Sequence, residues 1–248
     1  MISTFQAQIL EKRQLTEHVY LLRFKAVDLD YTFLPGQYTI FHMPQGDGHA
    51  ARRLYSMASP ASQKDAFELI VEILPNGIAS AHFMNMQIGE TVTAQGPAGM
   101  FTLNPDPADS VFLATGTGIA PIRSMIYHLI ENRSNNKIYL FWGASNMKDT
   151  YLFDEFKQLA ESSPNFMFLN CISREQDLSC VINTLDHKYY AIGRVNDAGI
   201  EKVEAIANNL NAHHYYICGG TKMVEGMKEY LTGKAIPKEH IHLEKFTV

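Results

Sequence analysis

The sequence predicts two domains of different architecture: an antiparallel β-barrel, then an α/β domain built on a parallel sheet. Two textures predict this. The first hundred or so residues carry short β-prone runs punctuated by Gly and Pro, the pattern of a small barrel. From Ser110 onward strand-like and helix-like runs alternate, the pattern of βαβ units. Between them lies Asn104-Pro105-Asp106-Pro107-Ala108-Asp109, a two-proline linker that gives expected domains over 1–104 and 108–248. A length of 248 residues accommodates two ordinary domains.

In the first half, His18–Phe24 is short, apolar and β-prone. Gln37–Met43 is a strand entered through the turn pair Pro35-Gly36, and Phe67–Leu74 alternates until Pro75-Asn76-Gly77 stops it. Thr91–Ala94 ends at Gly96-Pro97. Ala79–Met86, rich in Ala and Met, suits a short helix instead. In the second half, Ser110–Ala114, Lys137–Phe141, Phe166–Leu169 and Tyr215–Ile217 read as strands. Ile119–Glu131, Thr150–Glu161, Ala198–Leu210 and Lys222–Leu231 read as helices.

Composition bounds the function. Apolar residues make up 46%, enough for packed cores, and the net charge of −5 argues against non-specific nucleic-acid or anionic-membrane binding. No apolar stretch reaches the ~18 residues a membrane span needs, and Met1-Ile2-Ser3-Thr4-Phe5 does not open a signal peptide. A cytoplasmic protein is expected. Cys171, Cys180 and Cys218 are too few and wrongly spaced for a disulfide framework, a four-cysteine zinc site or a four-cysteine iron–sulfur cluster, so no metal is expected. The ten histidines show no metal-ligand spacing, and neither H-E-x-x-H nor G-x-S-x-G occurs.

Five strings carry possible chemistry. Ala114-Thr115-Gly116-Thr117-Gly118-Ile119-Ala120-Pro121 follows a buried strand and opens a helix, the context of a phosphate-binding turn. Unpaired N–H groups and the positive dipole end would face an anion there. Pro121, where a third glycine often stands, suits the first helical turn. A plain βα turn would use the same glycines. Arg53-Leu54-Tyr55-Ser56 offers a guanidinium for a diphosphate, a ring for stacking and a hydroxyl for a ring nitrogen, which suits a flavin nucleotide. Period two puts Arg53 and Tyr55 on one strand face, so Ser56 must join them through a local twist. An ordinary polar edge strand is the other reading. Gly77-Ile78-Ala79-Ser80 feeds a helix, with Ser80 expected near its N-cap, and suits a pyrophosphate or merely a connecting helix. Ser173-Arg174-Glu175-Gln176 follows a strand where an adenosine ribose can lie. Its hydroxyl and guanidinium would favour a 2′-phosphate, hence NADP over NAD, although a loop charge is the plainer reading. Cys218-Gly219-Gly220 ends a strand, where ligands of parallel sheets gather. Cys218 could touch a ring there or simply pack. Trp142 is expected to pack at a strand end.

In this order, R-L-Y-S-M-A-S, G-I-A-S, G-P-A-G-M-F, G-T-G-I-A-P, S-R-E-Q, C-G-G and a terminal H-L-E-K-F, the chain resembles the ferredoxin–NADP reductase superfamily from about Phe5 to Phe246. The resemblance implies a Greek-key barrel carrying FAD and an α/β domain binding NADP(H), with NAD(H) the alternative. It implies that Arg53 meets the FAD diphosphate, Tyr55 stacks on the ring and Ser56 lies near flavin N5. Gly77, Ile78 and Ser80 would contact the FAD phosphates. Thr115, Gly116, Gly118 and Pro121 would form the nicotinamide-nucleotide turn. Ser173 and Arg174 would bind a 2′-phosphate, with Lys188 and Tyr190 as a stretched K-x-Y partner. Cys218 would lie near the nicotinamide, and Glu244 and Phe246 beside the flavin, Phe246 covering the ring and yielding to the nicotinamide. Ser56, Cys218 and Glu244 are the residues expected nearest the reacting atoms.

The chain lacks the C-x4-C-x2-C run of relatives with their own [2Fe–2S] domain. Its E-K-F ending is similar to oxygenase reductase components, while S-R-E-Q is similar to plastid reductases. The implied activity is hydride transfer from NADPH, or NADH, to FAD, with electrons leaving singly to a separate ferredoxin, flavodoxin or oxygenase component. A monomer is expected. Two other readings remain open at this point: an NAD(P)H:flavin reductase using diffusing flavin, and a non-enzymatic nucleotide-binding subunit.

Overall fold

A computed structural model describes residues 2–45, 49–179, 181, 183–199, 202, 204–205 and 210–246. Cys180 lies outside these residues, as does much of the helix expected over 198–210. Close contacts divide the chain into two compact units. The first comprises Met1–Leu103 with Arg123–Leu129, and the second Asn104–Ile122 with Ile130–Val248.

The first unit is a six-stranded antiparallel sheet of β1 (Ser3–Gln14), β2 (Val19–Ala26), β3 (Tyr38–Pro44), β4 (Ala50–Ser56), β5 (Phe67–Glu72) and β6 (Thr91–Ala98), with α1 (Ile78–Asn85) between β5 and β6. The strand order is β4-β3-β6-β1-β2-β5, so β6 returns from α1 to lie between β3 and β1. The sheet curls until its two edges meet: Met57, just past β4, bridges Leu69 of β5, and the Ala58 N–H donates to the Glu68 carbonyl at 2.7 Å. β1 was not anticipated. Its buried residues Phe5, Ala7 and Ile9 alternate with glutamines before the polar run Glu11–Gln14, and a register shift between Ile9 and Glu11 lets one long strand pair with both β6 and β2. The core is aromatic, with Phe24 packed against Phe41, Phe67 and Phe83. Arg123 adds a buried ion pair here, its Nη1 donating to Glu68 Oε2 at 2.8 Å and to the Ala58 carbonyl at 2.7 Å.

The second unit is a parallel six-stranded sheet: β7 (Asp109–Thr115), β8 (Ile138–Ala144), β9 (Phe166–Ile172), β10 (Tyr190–Ile192), β11 (His213–Gly220) and β12 (Ile241–Phe246). Its helices are the two ends of α2 (Ile119–Glu131), whose Arg123–Leu129 segment belongs to the first unit, then α3 (Phe153–Ser162) and α4 (Thr221–Gly233). The Val111–Ala114 run that marks β7 is fully buried, as a central parallel strand requires. Val224, Met227 and Leu231 of α4 pack on Val111, Leu113, Tyr215 and Ile217. The strand order is β10-β9-β8-β7-β11-β12. From β7 the chain steps one way through β8, β9 and β10, then crosses back to β11 on the other side. That reversal opens a crevice at the carboxyl ends of β7 and β11, where ligands of such sheets bind.

Candidate functional site

In the second unit the turn after β7 and the turn after β11 are stitched together. Gly116–Gly118 form a 3-10 turn that runs directly into α2, with Pro121 buried in its first turn. The Gly220 N–H donates to Thr115 Oγ1 at 3.3 Å. A Cβ on Gly118 would overlap the Cys218 carbonyl, and one on Gly219, where φ is +147°, would overlap Thr115 Oγ1. Glycine at both positions therefore lets the two turns close on each other.

The orientation of the first turn is fixed by two side chains that sequence reasoning did not assign to the site. Trp142 Nε1 and the Tyr151 hydroxyl both donate to the Gly116 carbonyl, each at 3.1 Å. Their rings pack edge to face at 4.6 Å. With that carbonyl held by both side chains, a trans peptide turns the Thr117 N–H the opposite way, and a Cβ on Gly116 would meet nothing within 4 Å, so the turn is open there. The donor set thus suits a phosphate group: outward amides at the start of a thirteen-residue helix. The only available signal was the lone Trp at the end of an apolar run, and its partner lies in a loop.

Cys218 lies on β11 between Ala114 of β7 and Glu244 of β12, and Gly220 pairs with Phe246. Cys218 is fully buried. Burial, with a smaller contribution from the Glu244 carboxylate, pushes its thiol well above the usual range. A buried thiol held neutral is a poor nucleophile. Glu244 and Phe246 are half-buried.

Ser173 and Arg174 sit just past β9, exposed, on the same sheet edge and two strands from β7, a step of roughly 10 Å. They are tied to the loop after β8. Ser173 N–H and Oγ both donate to the Ala144 carbonyl, at 3.1 and 3.3 Å, and Arg174 N–H donates to that of Ser145 at 2.9 Å. Glu175 accepts from the Met147 N–H at 3.1 Å, which braces the loop further. Tyr190 does not join this group. Its ring stacks on Phe153 at 5.2 Å, and burial pushes its phenol up to about 12. Lys188 instead covers the Tyr189 ring.

In the first unit β4 and α1 are brought together through Phe83. Register with Phe41 and Thr39 puts Arg53 and Tyr55 on one face of β4 and leaves Leu54 exposed on the other. The Tyr55 ring packs against Phe83 of α1 at 5.4 Å and Phe41 at 6.0 Å. Burial raises its phenol to about 12, so it stays neutral although Arg53 is near. Ser56 ends the strand and is buried. Ser80 lies near the N-cap, as expected, and is not itself the cap. Gly77 is the N-cap of α1, and Ser80 lies inside the helix, its Oγ accepting from the Leu74 N–H at 2.9 Å. That bond closes the preceding turn, so the helix has no side-chain cap. Ile78 and Ala79 follow Gly77 in the first helical turn, which leaves N-terminal amides there for an anion.

Two family models match the chain: an oxidoreductase FAD-binding domain over residues 6–103 and an oxidoreductase NAD-binding domain over residues 112–229. The chain belongs to the ferredoxin–NADP reductase superfamily. The reductase is 29% identical to ferredoxin–NADP reductase B of Sorangium cellulosum, over 98% of this chain and 97% of that one. It is also 29% identical to the reductase component of propane 2-monooxygenase of Mycolicibacterium smegmatis, over 98% of this chain and 67% of the relative. Among solved structures, the Amycolatopsis cytochrome P450 reductase GcoB superposes with a TM-score of 0.86 at 28% identity, covering 100% of this chain and 71% of that one. A ferredoxin NADP+ reductase from Neisseria gonorrhoeae shares the fold, with a TM-score of 0.82 at 22% identity over 98% of each chain. The cofactors of the reductase are FAD and a nicotinamide dinucleotide. Among the described residues no helix is long and apolar enough to cross a membrane.

Proposed function

We propose that this reductase takes hydride from NADPH in preference to NADH and delivers electrons to a separate carrier protein. A ferredoxin, a flavodoxin or an oxygenase component is the class of acceptor. The observation that carries the nucleotide preference is the braced Ser173–Arg174 loop. It stands on the sheet edge that bears the Gly116–Gly118 turn, two strands away. A dinucleotide lying along that edge with its phosphates at the turn extends its adenosine toward Arg174, whose guanidinium suits a 2′-phosphate. The relatives named for ferredoxin and for propane 2-monooxygenase support the acceptor class.

Bound FAD supplies a hydride acceptor that can release its electrons one at a time. The chain binds and orients. Arg53 would pair with the diphosphate of FAD, and the Gly77–Ser80 turn would offer amides to the same group. Tyr55, neutral and held by Phe83, would present its ring to the isoalloxazine, and Ser56 a hydroxyl to N5. The Thr115–Gly118 turn would hold the nucleotide phosphates, while Cys218, Glu244 and Phe246 would bound the nicotinamide end.

The test is NADPH-driven reduction of cytochrome c by the dialysed yellow protein, with ferredoxin, flavodoxin or free FMN added in turn. A protein that keeps its colour and is stimulated by a protein carrier supports the proposal. Loss of colour on dialysis, with stimulation by free flavin alone, would replace it with a flavin reductase.

A further inference from the structure

The helix that opens at Gly77 has little to hold it in place by itself. It is eight residues long, shorter than the ~12 residues at which an isolated helix becomes even marginally stable. It has no side-chain N-cap and no acidic residue in its first turn. Its largest anchor is Phe83, fully buried against Phe24 and Phe41, and at the amino end Ala79 is buried and the Ser80 hydroxyl accepts from the Leu74 N–H. These contacts lie on the first two turns, and the carboxyl end needs a hold of its own.

The other end carries a second anchor. Lys12 of β1 directs its Nζ at the last turn of α1, donating to the carbonyls of Phe83, Met84 and Met86 at 3.4, 2.9 and 2.7 Å. An ammonium has three protons, and all three are used on three carbonyls that the helix leaves unpaired. The positive charge also faces the negative end of the helix dipole. Lys12 itself is held in the β1–β2 ladder opposite Leu22. The clamp therefore refers the axial position of α1 to β1, a strand in the middle of the sheet.

We propose that Lys12 is a positioning residue for FAD, clamping the carboxyl end of α1 so that the Ile78–Ser80 amides at its amino end stay aligned for the phosphates. This rests on the reading that those amides bind FAD phosphates. Phe83 remains keyed in the core without the clamp, so the Tyr55 face that would meet the flavin ring is retained. The effect of Lys12 is then specific to phosphate-bearing flavin.

The experiment is titration of the apoprotein with FAD and, separately, with riboflavin, which has the ring but no phosphate. Lys12→Met keeps the aliphatic stem and removes the three donors. It is expected to raise the FAD dissociation constant ~10-fold, the equivalent of one lost bond to a charged group, and to leave riboflavin affinity unchanged. Lys12→Arg, which restores charge and donors, is expected to recover most of the FAD affinity and serves as the milder probe if Lys12→Met does not fold. Unchanged FAD affinity in Lys12→Met, equal losses for both flavins, or no recovery with Arg would overturn the proposal. Gly77→Ala separates it from the reading beneath. Its Cβ would meet Ser80 Oγ at 2.8 Å and disturb the turn itself. Selective FAD loss in Gly77→Ala with none in Lys12→Met sinks the role of Lys12 alone. No FAD loss in Gly77→Ala sinks the phosphate site at α1.

Discussion

The indole of Trp142 donates to the carbonyl of Gly116 at 3.1 Å, and a trans peptide there turns the Thr117 amide the opposite way. A strand-end tryptophan thereby sets the direction of an amide in the turn proposed to hold the nucleotide. Trp142→Phe keeps most of the packing against Tyr151 and loses the donor. One neutral hydrogen bond is worth about 1 kcal/mol, so the KM for NADPH is expected to rise about fivefold with kcat little changed. Tyr151→Phe, which loses the other donor to the same carbonyl, is expected to do the same. Steady-state kinetics on both variants check this, and a fall in kcat at constant KM would contradict it.

Arg174 is exposed and its backbone is anchored to Ser145, so its side chain can be removed without unsettling the loop. A charge-assisted bond to a phosphate contributes about 1.5–3 kcal/mol. Arg174→Ala is expected to lower kcat/KM for NADPH by roughly 10- to 100-fold and to spare NADH. Equal losses with both nucleotides would refute a 2′-phosphate contact.

Phe246 pairs with Gly220 at the end of β12, beside the crevice. If it yields to the nicotinamide, Phe246→Ser changes nucleotide affinity or the NADPH-to-NADH ratio. Unchanged kinetics with both nucleotides would end that role.

The ion pair of Arg123 with Glu68 is buried, the two side chains being 8% and 17% exposed. Glu68→Gln removes the carboxylate of this pair, and breaking a buried pair costs about 3 kcal/mol. The double replacement Arg123→Met with Glu68→Leu removes both charges and is expected to be much less harmful. Urea melts of the single and double variants measure the difference.

Three histidines meet beside the linker: His214 Nδ1 lies 3.3 Å from His242 Nε2, and the His240 ring is 4.7 Å from that of His214. Asp106 also faces His214, and Tyr216 stacks on His242. Burial, then the neighbouring histidines, lowers His242 from 6.5 to about 4, and burial lowers His214. The unfolded chain therefore binds more protons than the folded one between those values. Stability held above 6.5 is lost as pH falls toward about 4. Urea midpoints measured across that range should decline for the native protein and decline less for His242→Gln.

The sequence carried the architecture well because its strongest signals are local. The Val111–Ala114 run, the glycine turn after it and the two-proline linker each need only a few adjacent residues. The alternation in β1 is short, with Phe5, Ala7 and Ile9 separated by glutamines, and gives way to the polar run Glu11–Gln14; β10 is three residues that make no pattern, and β12 is only half-buried. The turns of the candidate site are local and could be read from adjacent residues. The site was not legible where distant side chains hold those turns: Trp142 and Tyr151 on Gly116, or Lys12 reaching α1 from some seventy residues away. Ser80 was expected near the N-cap and stands three residues past it, where its hydroxyl accepts from the Leu74 amide.

Anaerobic stopped-flow mixing of the FAD-loaded protein with NADPH and, separately, NADH, followed through flavin absorbance, bears most directly on the proposed activity. Rapid and complete bleaching by NADPH, with NADH slower or weaker, is the expected result. Failure of both nucleotides to bleach the flavin would contradict the assignment of this chain as a working reductase.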